Sequence, residues 1–228
     1  MSENSLASPS RSPLEAVVFD MDGVLVDTEP MHLELARRLV APAELPVEEY
    51  ARFIGTHGFG EWLEETYGVS REVIRTRSSE LFFAELAAEG LSPMPGATAL
   101  IESVLARGLK SAVVTMTQPD WTEATLRASG LRDYFEVVVT AHDVEHGKPA
   151  PDLYLHAAEL LGVDPRRCLA VEDSVHGIAS AHAAGMRVVQ LRQATFVPEP
   201  QAVAEVVLAS LEEFDLGWLD GDEGQGRR

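Results

Sequence analysis

Two carboxylates one residue apart are the chemical signal in this chain. The apolar run Ala16-Val17-Val18-Phe19 leads straight into Asp20, Met21, Asp22 and Gly23. In extended backbone, residues two apart point the same way, so Asp20 and Asp22 can converge just past a strand end. Gly23 then lets the chain turn sharply. Two acids this close repel unless a cation joins them or one holds a proton. That supports two roles: a metal-bound carboxylate as a nucleophile toward phosphorus, and its neighbour as general acid and base. Taken alone, the same residues read equally well as an acidic turn after a strand.

The elements that must position these groups follow from hydropathy patterning. Short apolar runs at 16–19, 111–114, 136–139, 168–171 and 187–190 have the length and β-branched content of buried parallel strands. Between them lie helical patterns at Ala97–Arg107, Asp120–Ser129, Asp152–Leu161 and Val175–Ala184, with Gly108, Gly130, Gly162 and Gly185 as stops. The alternation predicts an α/β fold with a doubly wound, parallel, Rossmann-like sheet. Residues 30–91 break it. They carry only helical patterns, at Met31–Val40, Glu48–Phe53, Glu61–Tyr67 and Arg71–Ala88, and read as an inserted α-helical cap. The expected division is a core at 14–29 and 92–215, a cap at 30–91, and disordered tails at 1–13 and 220–228. An insert after the first strand overhangs the carboxyl edge of the sheet, where open α/β sheets bind ligands.

Four ordered stretches resemble the motifs of the haloacid dehalogenase superfamily, specifically its members with a helical cap in the β-phosphoglucomutase and phosphatase group. Asp20-Met-Asp22-Gly-Val-Leu-Val-Asp27-Thr28 resembles the first motif, Thr115 the second, Lys148 in Gly147-Lys148-Pro149 the third, and Glu172-Asp173 the fourth. The resemblance covers about residues 15–192. It implies Asp20 as nucleophile, Asp22 as acid and base, Thr115 on a phosphoryl oxygen and Lys148 as neutralising cation. It also implies Mg²⁺ held by Asp20, Asp173 and the main-chain carbonyl of Asp22, with Glu172 bound directly or through water. Backbone N–H groups of Met116 and Thr117 would cradle phosphoryl oxygens. Thr28 or His32 would orient Asp22, as in related sugar-phosphate enzymes; a packing role for His32 is equally open. In the glycine-rich stretch 55–60, His57 would face substrate.

The activity so implied is a Mg²⁺-dependent phosphatase of a small phosphorylated metabolite, a sugar or polyol phosphate, working through an aspartyl-phosphate. A phosphosugar mutase is the alternative, but it needs a cationic cap residue and the 55–60 stretch has no Arg or Lys. A dehalogenase would lack Asp22. A non-catalytic binding protein on this fold would be expected to have lost a motif, and all four stand.

Composition bounds the rest. The net charge of −19 excludes nucleic acid as a partner, since phosphate backbones select basic surfaces. No apolar run approaches the roughly 18 residues that cross a bilayer, so no membrane partner is expected. The start of the chain lacks a signal-peptide pattern, so the cytoplasm is the expected compartment. No heptad seam is present, so a monomer is the default. Cys168, the only cysteine, reads as a buried thiol. His142 and His146 stand four apart without a third ligand for zinc. Trp62 is expected to pack within the cap and Trp121 beside the core sheet.

Overall fold

The strand that carries Asp20 lies inside a six-stranded sheet and is buried along its whole length. A computed structural model describes residues 13–53, 58–196 and 198–220 of the chain. The strands are β1 (Ala16–Asp20), β2 (Lys110–Thr115), β3 (Val137–Thr140), β4 (Cys168–Glu172), β5 (Arg187–Leu191) and β6 (Val206–Leu208). They lie in the order β3-β2-β1-β4-β5-β6, and every pairing is parallel. A strand flanked by layers on both faces needs no polar side, which is why these strands read as unbroken apolar runs.

Strand parity divides the core. Val17, Phe19, Val113 and Val171 face one layer, packing with Leu100, Ile101 and Val104 of α5 (Ala97–Ala106) and Leu126 of α6 (Pro119–Ala128). Ala16, Val18, Ala112 and Val114 face the other, against Leu153 and Tyr154 of α7 (Asp152–Leu161) and Ile178 of α8 (Val175–Ala183). Winding reverses between β1 and β4, which makes their carboxyl ends the topological switch point. Cys168 is buried at the start of β4, as its apolar neighbours predict.

The expected strands and helices form with boundaries shifted by a few residues. Two features differ. β6 is missing from the hydropathy reading because it has three residues on a half-exposed edge, too short for a period to emerge. The ordered core also runs past residue 215, because Leu216–Asp220 forms a 3-10 turn that buries Leu219 and sets Trp218 against Phe214.

Between β1 and α5 the named elements among the described residues are all helices: α1 (Glu29–Val40), α2 (Val47–Ala51), α3 (Phe59–Tyr67) and α4 (Arg71–Glu89). Pro30 suits the first turn of α1, where a missing N–H loses no helical bond. Ser70 caps α4 by accepting from the Val73 N–H at 3.3 Å. One apolar cluster joins Ala36, Val40, Tyr50 and Leu63, with Trp62 against it as expected. A second joins Leu35, Phe82 and Leu86. Trp121 of α6 belongs to this second cluster and not to the core sheet. Its indole stacks on Phe82 with centroids 4.0 Å apart, because the exposed start of α6 faces α4. The chain's two crossings between sheet and insert touch: the Met94 N–H donates to the Leu25 carbonyl at 2.8 Å. Asp27 in the first crossing accepts from the N–H of Thr195 at 2.9 Å and from its hydroxyl at 2.5 Å. Among the described residues, no helix is long and apolar enough to cross a membrane.

Candidate active site

Three neighbouring strands deliver their last residues to one place. β1 ends on Asp20, β2 on Thr115 and β4 on Glu172, with Asp173 next in line. Parallel register sets this coincidence, since Phe19 pairs with both Val113 and Val171. Lys148 reaches in from the loop before α7. Its ammonium donates to Asp20 Oδ1 at 2.5 Å and to Glu172 Oε1 at 2.6 Å. All four side chains of the Asp20, Lys148, Glu172 and Asp173 set are buried.

Glu172 is the anchor of this set. Its Oε1 accepts from Lys148 and from the Tyr154 hydroxyl, the latter at 2.9 Å. Its Oε2 accepts from the backbone N–H groups of Asp173 and Ser174, both at 3.0 Å, and from the Ser174 hydroxyl at 3.1 Å. Five donors on two oxygens leave little room for a direct metal bond and describe a carboxylate that fixes the lysine. Ser174 also caps α8, accepting from the Gly177 N–H at 3.0 Å. Gly177 sits so close that a Cβ there would lie 1.6 Å from Glu172 Oε1. At Gly23, φ is +83° and a Cβ would fall 1.9 Å from Asp173 Oδ2, so this turn admits glycine alone.

Asp22 takes a different direction. Its Oδ1 accepts from the Thr28 hydroxyl at 2.6 Å, and its Oδ2 from the hydroxyls of Thr117 at 2.8 Å and Thr115 at 3.1 Å. The two acids of the first motif thus meet different company, one a cation and buried acids, the other three hydroxyls. The Thr117 N–H donates to Thr115 Oγ1 at 3.0 Å, so it is engaged within the loop and not free to cradle an oxygen. Met116 contributes its sulfur, which accepts from the Lys148 N–H at 3.3 Å.

Electrostatics sharpen the contrast. Burial pushes the Asp20 carboxyl well above its ordinary range; Lys148 opposes that rise, while Glu172 and Asp22 add to it. Asp173 is raised likewise, by burial and then by Glu172 and Asp20. Burial alone would lower the Lys148 ammonium, but Asp20 and Glu172 outweigh it and hold it charged. Ligand atoms of Asp20, Glu172 and Asp173 lie within 4.8 Å of one another. Three buried carboxyl groups against one ammonium need either protons or a further cation, and a hard divalent cation with oxygen ligands fits that place. The Asp22 carboxylate lies outside this set, which is consistent with its main-chain oxygen being its contribution to a metal.

His32 packs beside the stacked rings of Phe82 and Trp121, with centroids 5.9 and 5.8 Å away, and its Nε2 has no hydrogen-bond partner. Thr28 alone of that pair touches the acid. His57 lies outside the described residues. Sequence reasoning missed Tyr154 and Gly177. Tyr154 is hidden in the apolar face of α7, and Gly177 looks like an ordinary small residue in a helix.

Fold and site together define a doubly wound α/β protein that sets two acids, a lysine and a metal-fitting carboxylate cluster at the sheet's switch point. The family model for haloacid dehalogenase-like hydrolases matches residues 14–185, and the chain belongs to that family. It is 35% identical over 187 residues to the fructose-1-phosphate phosphatase YqaB of Escherichia coli, covering 77% of this chain and 95% of that protein. It is 34% identical over 201 residues to hexitol phosphatase A of the same organism, covering 87% and 92%. Among solved structures, CbbY from Rhodobacter sphaeroides, a mutant in complex with xylulose-(1,5)-bisphosphate, is similar with a TM-score of 0.77 and 29% identity. That match covers 88% of this chain and 96% of the other. The chain is a phosphoric monoester hydrolase.

Proposed function

We propose that this protein is a Mg²⁺-dependent phosphatase of a sugar or polyol phosphate, acting through a phosphorylated Asp20. The observation that carries the reading is the split environment of the first motif: Asp20 faces Lys148 and the acid cluster, while Asp22 faces three hydroxyls. Asp20 Oδ attacks phosphorus as the ester P–O bond breaks, and the leaving oxygen takes a proton from Asp22. Asp22 then takes a proton from water as that water's oxygen attacks phosphorus and the Asp20–phosphorus bond breaks. Lys148, fixed by Glu172, offsets charge on Asp20 and on the transferring group. Thr115 and Thr117 exchange their bonds to Asp22 for phosphoryl oxygens when substrate enters.

Asp20 and Asp173, with the carbonyl of Asp22, would hold Mg²⁺, and Glu172 contributes through its charge and its grip on Lys148. When bound, such an ion would supply charge neutralisation for the phosphoryl oxygens. Residues 30–91 act as the cap and 14–29 with 92–215 as the core. The cap excludes water from the first step, and binding of the leaving group drives its closure.

The test is phosphate release from a panel of phosphorylated metabolites, with Mg²⁺ and with chelator. Release confined to the Mg²⁺ arm is expected, and Asp20→Asn abolishes it while its circular dichroism spectrum stays that of the wild type. Full activity in that variant refutes the nucleophile assignment. Absence of release from every compound refutes the phosphatase reading, and isomerisation of β-glucose 1-phosphate then tests a mutase.

A further inference from the structure

The loop after β2 and the loop before α7 meet at one thioether. Met116 stands between Thr115 and Thr117, whose hydroxyls both donate to Asp22. Its sulfur accepts from the Lys148 N–H at 3.3 Å. The same lysine is held from β2 at its other end, where its ammonium donates to the Val114 carbonyl at 3.5 Å. Gly147 leaves the space for this approach, since a Cβ there would fall 2.6 Å from Met116 Cε and 2.9 Å from Sδ. Met116 is a strut between the threonines on Asp22 and the lysine on Asp20.

A thioether is open to oxygen-atom transfer where peroxide can reach it. Met116 is 37% exposed. The other methionines among the described residues are better covered: Met21, Met94 and Met186 are buried, and Met31 is half-buried against the Phe82 cluster. The one thiol does not compete, because burial pushes Cys168 up to about 12 and keeps it protonated. In the reaction the sulfur attacks one peroxide oxygen, the O–O bond breaks and an S–O bond forms. The proton on the transferred oxygen joins the departing hydroxide as water, so sulfur is oxidised and peroxide reduced. The sulfoxide sulfur carries positive charge and is a poor acceptor for the Lys148 N–H. If the new oxygen turns to that N–H instead, it pushes the nitrogen away from the sulfur, and Gly147 leaves it no room on the other side. Either outcome shifts the Lys148 loop.

We propose that Met116 is a positioning residue for Lys148 and a site of reversible oxidation, where peroxide forms a sulfoxide that releases the Lys148 backbone and lowers turnover. A dithiol reductant, passing to its disulfide with loss of water, returns the thioether and the rate. The effect on turnover rests on the phosphatase reading; the strut itself does not. A shift of about 1 Å in a reacting group costs up to about a hundredfold in rate.

The test treats the wild type and Met116→Leu with hydrogen peroxide and maps both by peptide mass spectrometry. Phosphate release from fructose 1-phosphate and p-nitrophenyl phosphate, with Mg²⁺, is compared with each protein's own untreated rate. The wild type is expected to gain one oxygen on the peptide carrying Met116, to keep its circular dichroism spectrum and to lose about ten- to a hundredfold in turnover. Methionine sulfoxide reductases with a dithiol restore that turnover, and Met116→Leu keeps its own rate under peroxide. Amide hydrogen exchange at Lys148 is expected to speed up about three- to tenfold on oxidation, as its N–H loses the sulfur. An unmodified Met116, full turnover with Met116 oxidised, an equal loss in Met116→Leu, or a loss that comes with unfolding each overturns the proposal. If the untreated protein releases no phosphate from any ester, the phosphatase reading fails and exchange at Lys148 decides alone: acceleration upholds the strut, and no change overturns it.

Discussion

Gly177→Ala sets two effects of opposite sign against each other at one atom. Gly177 lies in α8 with ordinary helical backbone, where alanine is normally worth about 1 kcal/mol of added stability. Its Cβ, however, would lie 1.6 Å from Glu172 Oε1, 2.0 Å from Cδ and 2.3 Å from Oε2. No rotation of a methyl group relieves that overlap, so the carboxylate must move. Moving it breaks the bonds from Lys148 and Tyr154, and hydrogen bonds to a charged group are worth about 1.5–3 kcal/mol each. Losing both costs about 3–6 kcal/mol, so the net destabilisation is about 2–5 kcal/mol after the helical gain. With a urea slope of about 1–3 kcal/mol/M, the midpoint falls by about 0.7–5 M. Phosphate release falls with it, because Lys148 loses the anchor that aims it at Asp20. Gly60→Ala in α3, where a Cβ would meet nothing within 4 Å, supplies the helical gain without the clash. A Gly177→Ala protein that unfolds at the wild-type midpoint or above, with wild-type turnover, would refute the packing of Glu172 against α8 and its hold on the lysine.

Other expectations follow from the same geometry. Tyr154→Phe removes one buried donor to Glu172 and lowers stability by about 1.5–3 kcal/mol, measured by urea unfolding; an effect under about 0.5 kcal/mol means the hydroxyl is not bonded there. Asp22→Ala lowers kcat about a hundredfold or more while the affinity for substrate changes little, since general acid–base catalysis contributes about 10²–10⁴; a variant in which only affinity drops contradicts the acid role. Burial pushes the Cys168 thiol up to about 12. It stays protonated in the folded protein at neutral pH, so iodoacetamide labels it only as fast as the chain unfolds. Because this folded value exceeds that of the unfolded thiol, its stabilising contribution is complete below the unfolded pKa. It is lost as pH rises from about 9 toward 12. Rapid labelling under native conditions at neutral pH contradicts that burial.

Much of the site was readable because parallel strands announce themselves. Asp20, Thr115 and Glu172 each follow an unbroken apolar run, and register carries strand ends to one edge without further information. Lys148 was found by resemblance, not by pattern, since its reach across the sheet is a tertiary fact. Tyr154 was invisible for the opposite reason: its ring satisfies the apolar face of α7, and nothing local reports that its hydroxyl meets a carboxylate. Trp121 was placed against the wrong layer because helix amphipathicity says which face is apolar, not whether the sheet or the insert covers it. The threonines around Asp22 illustrate a third limit. The Thr115 hydroxyl was expected on a phosphoryl oxygen, with Thr117 offering its backbone N–H, and in this structure both hydroxyls turn to the acid beside them.

The contact between Met94 and Leu25 has a consequence for the history of such a chain. The insert leaves and re-enters the sheet domain at points one hydrogen bond apart. A segment whose ends already meet burdens its host with little loop-closure entropy, whatever its length, and adjacent ends are what make domain insertion tolerable. On the proposed division into cap and core, the recognising part is a module whose ends meet. Its length can change while the reacting groups keep their places, so new substrates can be acquired without reinventing the chemistry.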